Sequence, residues 1–249
     1  MRIARAEGRV SVEDLARRFA VTPQTIRRDL SHLSDAGLLE REHGGAVLKD
    51  DAPRRAYDQR RRLNEAAKTA IARACAAAIP ANASLILNLG TTTEAVARAL
   101  LHHANLTVVT NNVAVANILL ANPGCEVVLA GGTLRRSDGG VVGVLTTRFL
   151  TQFKVDYAVI GCSAIDGSGD LLGFDPAGVQ VSKAIIARSR ATFLVADQSK
   201  FQPTAPETPR PAAARVASLA DVATFFTDAP LPHPLAAKCQ TWATQIHLT

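Results

Sequence analysis

The most constraining stretch of this 249-residue chain is Thr22-Pro23, which restarts a helix almost as soon as another has ended. A hydroxyl residue followed by proline is a start signal, because proline's missing N–H is one that the first turn of a helix leaves unused. From Pro23 to about Leu33 the spacing puts Ile26, Leu30 and Leu33 on one face. Gln24, Thr25, Arg27 and Arg28 fall on the other. Upstream, Ser11 with Asp14 three residues on has the form of a capping box, and Val12, Leu15, Ala16 and Phe19 make the apolar stripe behind it. Ala20-Val21 breaks that stripe. Downstream, Leu38–Leu48 reads as two short strands about Gly44-Gly45, a wing with Arg41 and His43 near its tip. Residues 9–48 are therefore expected to form a winged helix-turn-helix.

Such a unit presents the start of its second helix to a major groove. Gln24 suits an adenine edge, and Arg27 and Arg28 suit guanine edges. The Thr22 and Thr25 hydroxyls and the helix N-terminus suit phosphates. Arg41, His43, Gly44 and Gly45 are placed to meet the DNA backbone or minor groove. Arginines on a solvated helix face alone imply nothing of the kind; it is the paired helices, the Thr-Pro start and the wing together that point to duplex DNA. The charge agrees. Of the net +6, the first 62 residues hold 14 of the 28 Lys and Arg against ten of the 22 acidic residues, and a basic end favours a polyanionic partner.

At 249 residues and 47% hydrophobic, the chain has room for a second, larger unit with its own core. Four scattered cysteines with no Cys-x-x-Cys pair argue against a disulfide framework or a metal site and fit a reducing cytoplasm. No apolar run reaches the ~20 residues of a membrane span. The polar, proline-broken Lys49–Arg55 marks a boundary, giving a DNA-binding domain at 1–50, a linker at 51–62 and an effector domain at 63–249. In that last part a helix over 63–79 precedes strands at 84–89, 106–110, 126–130, 156–160 and 192–196. Helices near 93–102, 113–120, 146–152 and 179–189 alternate with them. The alternation predicts an open α/β sheet, largely parallel.

In such sheets ligands bind beyond the carboxyl ends of the strands. The residues there are Asn88, Gly90, Thr91, Thr92 and Thr93; Thr110, Asn111 and Asn112; Gly131, Gly132 and Arg135; Gly161 and Asp166; and Lys200. Glycine followed by threonines at a helix start joins backbone N–H donors, hydroxyls and the positive dipole end, which is a phosphate cradle. Lys200 is placed as a counter-charge to a dianion. Singly, each loop has an ordinary explanation as a cap, a turn or a solvated lysine. Their convergence on one edge makes the case.

Val21-Thr22-Pro23-Gln24-Thr25-Ile26-Arg27-Arg28-Asp29-Leu30, with Leu39-Glu40-Arg41-Glu42-His43-Gly44-Gly45-Ala46, resembles the signature of the DeoR family of bacterial regulators. Gly90–Asn112, Leu129–Arg135, Gly161–Asp166 and Asp197–Phe201 resemble that family's sugar-phosphate sensor domain, whose fold is similar to that of ribose-5-phosphate isomerase. The likeness runs from Gly8 to about Pro232. It implies a DNA-binding repressor rather than an enzyme, with no cofactor or metal. The implied partners are a double-stranded operator, a phosphorylated effector (glycerol 3-phosphate or a sugar phosphate) and further copies of the chain in a homodimer or homotetramer. Four departures stand out. The helix ahead of Gly8 is reduced to Met1–Glu7, Asn88 replaces the usual Asp, Gly178 replaces a common Glu, and the proline-studded Gln202–Pro211 is expected to be an exposed loop. A second class stays open, a sugar-phosphate isomerase with an accessory DNA-binding domain. It needs a base over a carbon acid; Asp166, Asp175 and Asp197 are the candidates, and no Glu or His stands in the loops themselves.

Overall fold

The computed structural model describes residues 1, 3–4, 9–48, 52–201 and 214–249. The expected loop at 202–211, most of Met1–Glu7 and residues 49–51 of the expected boundary lie outside these. The chain divides into two compact units, Met1–Gln59 and Arg60–Thr249.

In the first unit a strand β1 (Arg9–Ser11) leads into helices α1 (Val12–Phe19) and α2 (Pro23–Asp35), then strands β2 (Leu39–Glu42) and β3 (Gly45–Leu48). The Ser11 hydroxyl accepts from the Asp14 N–H at 3.4 Å. The expected capping box is half made, because the Asp14 carboxylate pairs with Arg17 instead. Ala20 closes α1 in the left-handed region at φ 54°. That early stop changes the expected stripe: Val12, Leu15 and Ala16 are buried, but Phe19 is 56% exposed. A last-turn residue has no following turn to press it inward. β1 is the strand that sequence reasoning missed. It pairs antiparallel with β3, giving a three-stranded sheet β1-β3-β2 rather than a bare hairpin. Ile26, Leu30, Leu39 and Ala46 close the core, with Met1, Ile3 and Leu33 packed on it.

The expected linker is helical, α3 (Ala52–Arg62). Pro53 lies in its first turn, where proline is tolerated, so a residue that reads as a breaker starts a helix instead.

The second unit continues with α4 (Glu65–Ala77), β4 (Ser84–Leu87), α5 (Thr91–Ala99), β5 (Leu106–Thr110), α6 (Val113–Leu119) and β6 (Cys125–Leu129). A hairpin of β7 (Thr133–Leu134) and β8 (Val141–Val142) precedes α7 (Val144–Leu150), β9 (Val155–Ile160), β10 (Ala164–Ile165), β11 (Asp170–Gly173), α8 (Pro176–Ile186) and β12 (Ser189–Val195). The chain ends with β13 (Ala214–Ser218), β14 (Thr224–Thr227), α9 (His233–Thr241) and β15 (Gln245–Leu248). Seven strands form one parallel sheet in the order β15-β14-β12-β9-β4-β5-β6. Side chains alternate between its faces. Ile86, Val109, Ala158, Ile160, Leu194 and Phe225 join α7, α8 and α9 on one face. Leu85, Leu87, Val108, Val159, Phe193 and Phe226 join α4, α5 and α6 on the other. Both faces are covered, as the near-continuous apolar strands require. The five strands expected are all present. The antiparallel sheet β10-β11-β13, the β7–β8 hairpin, and β14 and β15 at one flank are additions.

Strand order fixes where a ligand fits. From β4 the chain moves outward through β5 and β6, then returns to lay β9 on the other side of β4 and moves outward again. The carboxyl ends of β4 and β9 therefore flank the switch point, where an open sheet splays its loops apart.

Candidate DNA-reading face and effector site

The Thr22 hydroxyl caps α2, accepting from the Thr25 N–H at 3.2 Å and pairing with the Thr25 hydroxyl at 3.0 Å. Both hydroxyls sit at the helix entry, and Gln24, Arg27 and Arg28 stand exposed beyond them while Ile26 and Leu30 anchor the helix below. Arg41 is exposed but occupied. It donates to the Ser31 hydroxyl at 2.6 Å, which itself donates to the Arg27 carbonyl at 2.8 Å, so Arg41 ties the wing to α2. His43 and Gly44 form the exposed wing turn, with Gly44 at φ 77°. Val12 N–H reaches the Gly44 carbonyl at 2.9 Å, fastening that turn to α1. Gly45 differs from its neighbours. It is buried, and a Cβ there would lie 2.1 Å from the Val10 carbonyl oxygen. The need for glycine at 45 comes from the close approach of β1.

At the switch point, β4 runs into Asn88-Leu89-Gly90 and then α5. Asn88 is buried and its amide is spoken for: Oδ1 accepts from Leu89 N–H at 2.7 Å and Nδ2 donates to the Ser182 hydroxyl of α8 at 2.8 Å. Gly90 caps α5 at φ 146°. The Thr93 hydroxyl is fully buried and bonded to the Asn88 and Gly90 carbonyls at 2.8 and 2.7 Å. Thr93 therefore shapes the loop, and the accessible part of the cradle is the half-buried Gly90 and Thr91. Gly161 follows β9 in the same place.

Beside it lie the residues after β12. Asp197 is buried and accepts from Asn64 Nδ2 at 2.8 Å and Ser199 N–H at 3.0 Å. Burial opposes its charge, but those bonds and the nearby Lys200 outweigh it and hold the carboxyl below its ordinary value. Lys200 ends a 3₁₀ turn, Gln198–Lys200. Desolvation pushes the neighbouring Cys162 thiol up to about 12, against the pull of Lys200, so no thiolate nucleophile stands here.

The other wall is the hairpin of β7 and β8. Asn112 caps α6, accepting from Ala114 N–H at 2.9 Å, and the Thr110 hydroxyl donates to Leu87 O at 2.7 Å. Asn111 is buried; Nδ2 donates to Val141 O at 3.1 Å, while Oδ1 has no hydrogen-bond partner among the described residues. A buried acceptor in that state costs about 1–3 kcal/mol unless something donates to it. Gly132, at φ 147°, is needed because a Cβ would meet the Thr146 hydroxyl at 2.1 Å, whereas Gly131 is exposed with open space around it. Arg135 grips Asp138 at 2.9 and 2.7 Å and also Asp175, the cap of α8. Burial works against its charge, but Asp138 and then Asp175 overcome it and hold the guanidinium above its ordinary pKa. Arg135 thereby ties the hairpin to α8, and Gly178 lies alongside, a Cβ there being 3.5 Å from its Nη1.

Asp166 is engaged in its own turn. Its carboxylate accepts from Ser168 N–H, the Ser168 hydroxyl and Asp170 N–H at 2.9, 2.6 and 2.9 Å, all within the β10–β11 turn. Each carboxylate weighed as an isomerase base thus has structural work: Asp166 in a turn, Asp175 at a cap, Asp197 between Asn64 and Ser199.

Sequence reasoning missed a group at the junction of α3 and α4. Lys68 is 5% exposed and donates to the Leu63 carbonyl at 2.6 Å and to the Arg60 carbonyl. Glu94, in the first turn of α5, is 1% exposed and pairs with Arg61 at 3.8 Å. The signal for Lys68 was present, since it stands in register with Ile71, Ala72 and Cys75 on the buried stripe of α4. Among the described residues no cluster of His, Cys, Asp and Glu could hold a metal, and no helix is long and apolar enough to cross a membrane.

Residues 2–52 match the DeoR-like helix-turn-helix domain and residues 63–229 the DeoR C-terminal sensor domain. The chain is 43% identical to a glycerol-3-phosphate regulon repressor of Escherichia coli K12 over 92% of this chain and 88% of that one. It is 38% identical to the HTH-type transcriptional repressor CsqR of the same organism, over 94% and 87%. Among solved structures, a D-ribose-5-phosphate isomerase in complex with phospho-erythronic acid is similar at a TM-score of 0.42 and 16% identity, over 55% of this chain and 54% of that one.

Proposed function

The chain belongs to the DeoR family of transcriptional regulators, and from that premise we propose that it represses operator DNA through α2 and releases it when glycerol 3-phosphate fills the rim of the sensor sheet. The observation that carries the DNA half is the face of α2, with Gln24, Thr25, Arg27 and Arg28 exposed on a helix capped by Thr22 and anchored by Ile26 and Leu30. A 13-residue helix so anchored presents side chains to a groove without losing its own packing. In this reading Thr22 and Thr25 position the helix on phosphates, His43 and Gly44 reach the backbone from the wing, and Arg41 acts through its hold on Ser31.

The effector half rests on the polar ring at the switch point and on the relatives' name. The phosphate would take the N–H groups and hydroxyl at Gly90–Thr91, with Lys200 as counter-charge. The glycerol hydroxyls would face the hairpin wall, where the Asn111 Oδ1 acceptor is unmatched among the described residues. We place the protein in the cytoplasm as a homodimer or homotetramer, since a two-fold pair of heads reads repeated half-sites.

The test is fluorescence anisotropy on the upstream region of its own gene, with and without saturating glycerol 3-phosphate. Coupling of ~1–3 kcal/mol raises the apparent Kd by roughly 5–150-fold. An unchanged Kd with glycerol 3-phosphate, against a shift with another sugar phosphate, would move the assignment to that compound. Arg27→Ala should weaken operator binding by ~1–3 kcal/mol and leave random DNA nearly unaffected. Equal losses on both would make Arg27 a phosphate grip rather than a base reader.

A further inference from the structure

The chain enters the sensor unit through the end of α3, and polar contacts tie that end to α4, to the cradle helix and to the loop after β12. Arg61, in the last turn of α3, pairs with Glu94, three residues past Thr91 on the cradle helix itself. Lys68 donates to the carbonyls of Arg60 and Leu63, which the end of α3 leaves without helical partners. Asn64, at the turn between α3 and α4, donates to Asp197 at 2.8 Å, on the loop that bears Lys200. Two of these ties lead onward, from Arg61 to the cradle helix and from Asn64 to the loop after β12, while Lys68 holds residues 60–63 to α4. Glu94 is 1% exposed whereas its partner Arg61 has 53% of its side chain in solvent, so the pair is buried at its α5 end and solvated at its α3 end.

From this arrangement we propose that the Arg61–Glu94 pair, Lys68 and the Asn64–Asp197 bond form the joint through which the effector releases DNA. The inference rests on the phosphate reading given above. A dianion at the start of α5 adds negative charge within one turn of Glu94, which with Asp197 already draws on the local cations Arg61, Lys68 and Lys200. In a desolvated site like charges are costly and cations are drawn to the newcomer. Lys68 gives up only neutral carbonyls when it turns toward the new charge, so those bonds are the ones that yield. Their loss uncaps the last turn of α3, the helix that connects the sensor to the reading head. DNA-free sensor and DNA-bound sensor thus differ in whether the joint is closed, and the ligand acts by favouring the open form.

The consequence is testable with and without ligand, using the full-length chain. Glu94→Gln keeps the volume of the side chain and removes the pair; Arg61→Ala removes it from the exposed side. Both should weaken operator binding in the absence of any ligand by tenfold or more, and glycerol 3-phosphate should then add less than threefold. By reciprocity the same variants should bind glycerol 3-phosphate more tightly in calorimetry, because the ligand no longer has to open the joint. Hydrogen exchange across residues 60–68 should speed up in Glu94→Gln and, in the wild type, on adding glycerol 3-phosphate. Wild-type DNA affinity in Glu94→Gln with a defect confined to Arg61→Ala would overturn the joint and make Arg61 a DNA contact. Glycerol 3-phosphate that binds the wild type without altering exchange across 60–68 would also overturn it. If wild-type calorimetry shows no binding of glycerol 3-phosphate, the effector assignment fails by itself, and the ligand-free DNA affinity of Glu94→Gln still decides the joint.

Discussion

Gly45→Ala should cost the DNA-binding unit about 3 kcal/mol or more and reduce operator affinity by roughly 100-fold, while the sensor unit melts where it did before. The added Cβ would sit 2.1 Å from the Val10 carbonyl oxygen and 3.1 Å from its carbon. Both are backbone atoms of β1, paired with β3 at Val10↔Ala46 and Ser11↔Gly45, so neither retreats by a change of rotamer. β1 must leave β3, and Val10 and Val12 leave the core with it. A unit of about sixty residues holds only ~3–9 kcal/mol in total, so that loss consumes a large share of it.

Gly44→Ala is the control. Gly44 has the positive φ of 77° but nothing within 4 Å of a built Cβ, so the substitution costs only the ~1–2 kcal/mol of a left-handed residue. Calorimetry with two resolved transitions, beside anisotropy on operator DNA, separates the two glycines. Gly45→Ala that lost DNA while keeping its first transition would return Gly45 to the DNA-contact role expected from the sequence.

That contrast shows what the sequence could carry. The helix from Pro23 was legible because its cap, its proline and its 3.6-residue period all lie within a dozen residues. The parallel strands were legible because both faces are buried, leaving unbroken apolar runs. β1 was not, since a three-residue strand is defined by its partner 36 residues away rather than by its own pattern. The sheet β10-β11-β13 was hidden for the same reason: Asp170 pairs with Ser218 across α8, β12 and the 3₁₀ turn at Gln198–Lys200. At the rim, the residue types were visible but their employment was not. Thr93, Asn88 and Arg135 read as ligand groups, yet each is bonded to protein. Lys68 and Glu94 read as ordinary helix charges, and only the packing of α3, α4 and α5 makes them neighbours.

A carboxylate placed at the start of α5 should abolish the response to effector without harming the fold. Thr91 is the residue to change, being the part of the cradle that is half-exposed at the first helical position. In Thr91→Glu the new carboxylate occupies the positive end of the helix, where it stabilises α5 by ~0.3–1 kcal/mol. The melting temperature of the sensor therefore holds or rises. The phosphate meets a fixed negative charge in place of N–H donors and a hydroxyl, with Glu94 already in the same first turn of α5. Repulsion of a dianion by one more unit charge at about 5 Å, in an effective dielectric near 20, is on the order of 6 kcal/mol before salt and rearrangement reduce it. Half of that surviving gives a loss of affinity beyond 100-fold. Thr91→Ala, which removes the hydroxyl but keeps every backbone N–H, should lose only a few-fold. Calorimetric titration of both variants with glycerol 3-phosphate checks the order. Wild-type affinity in Thr91→Glu would place the phosphate away from α5, and the hairpin wall around Gly131 would become the next position to probe.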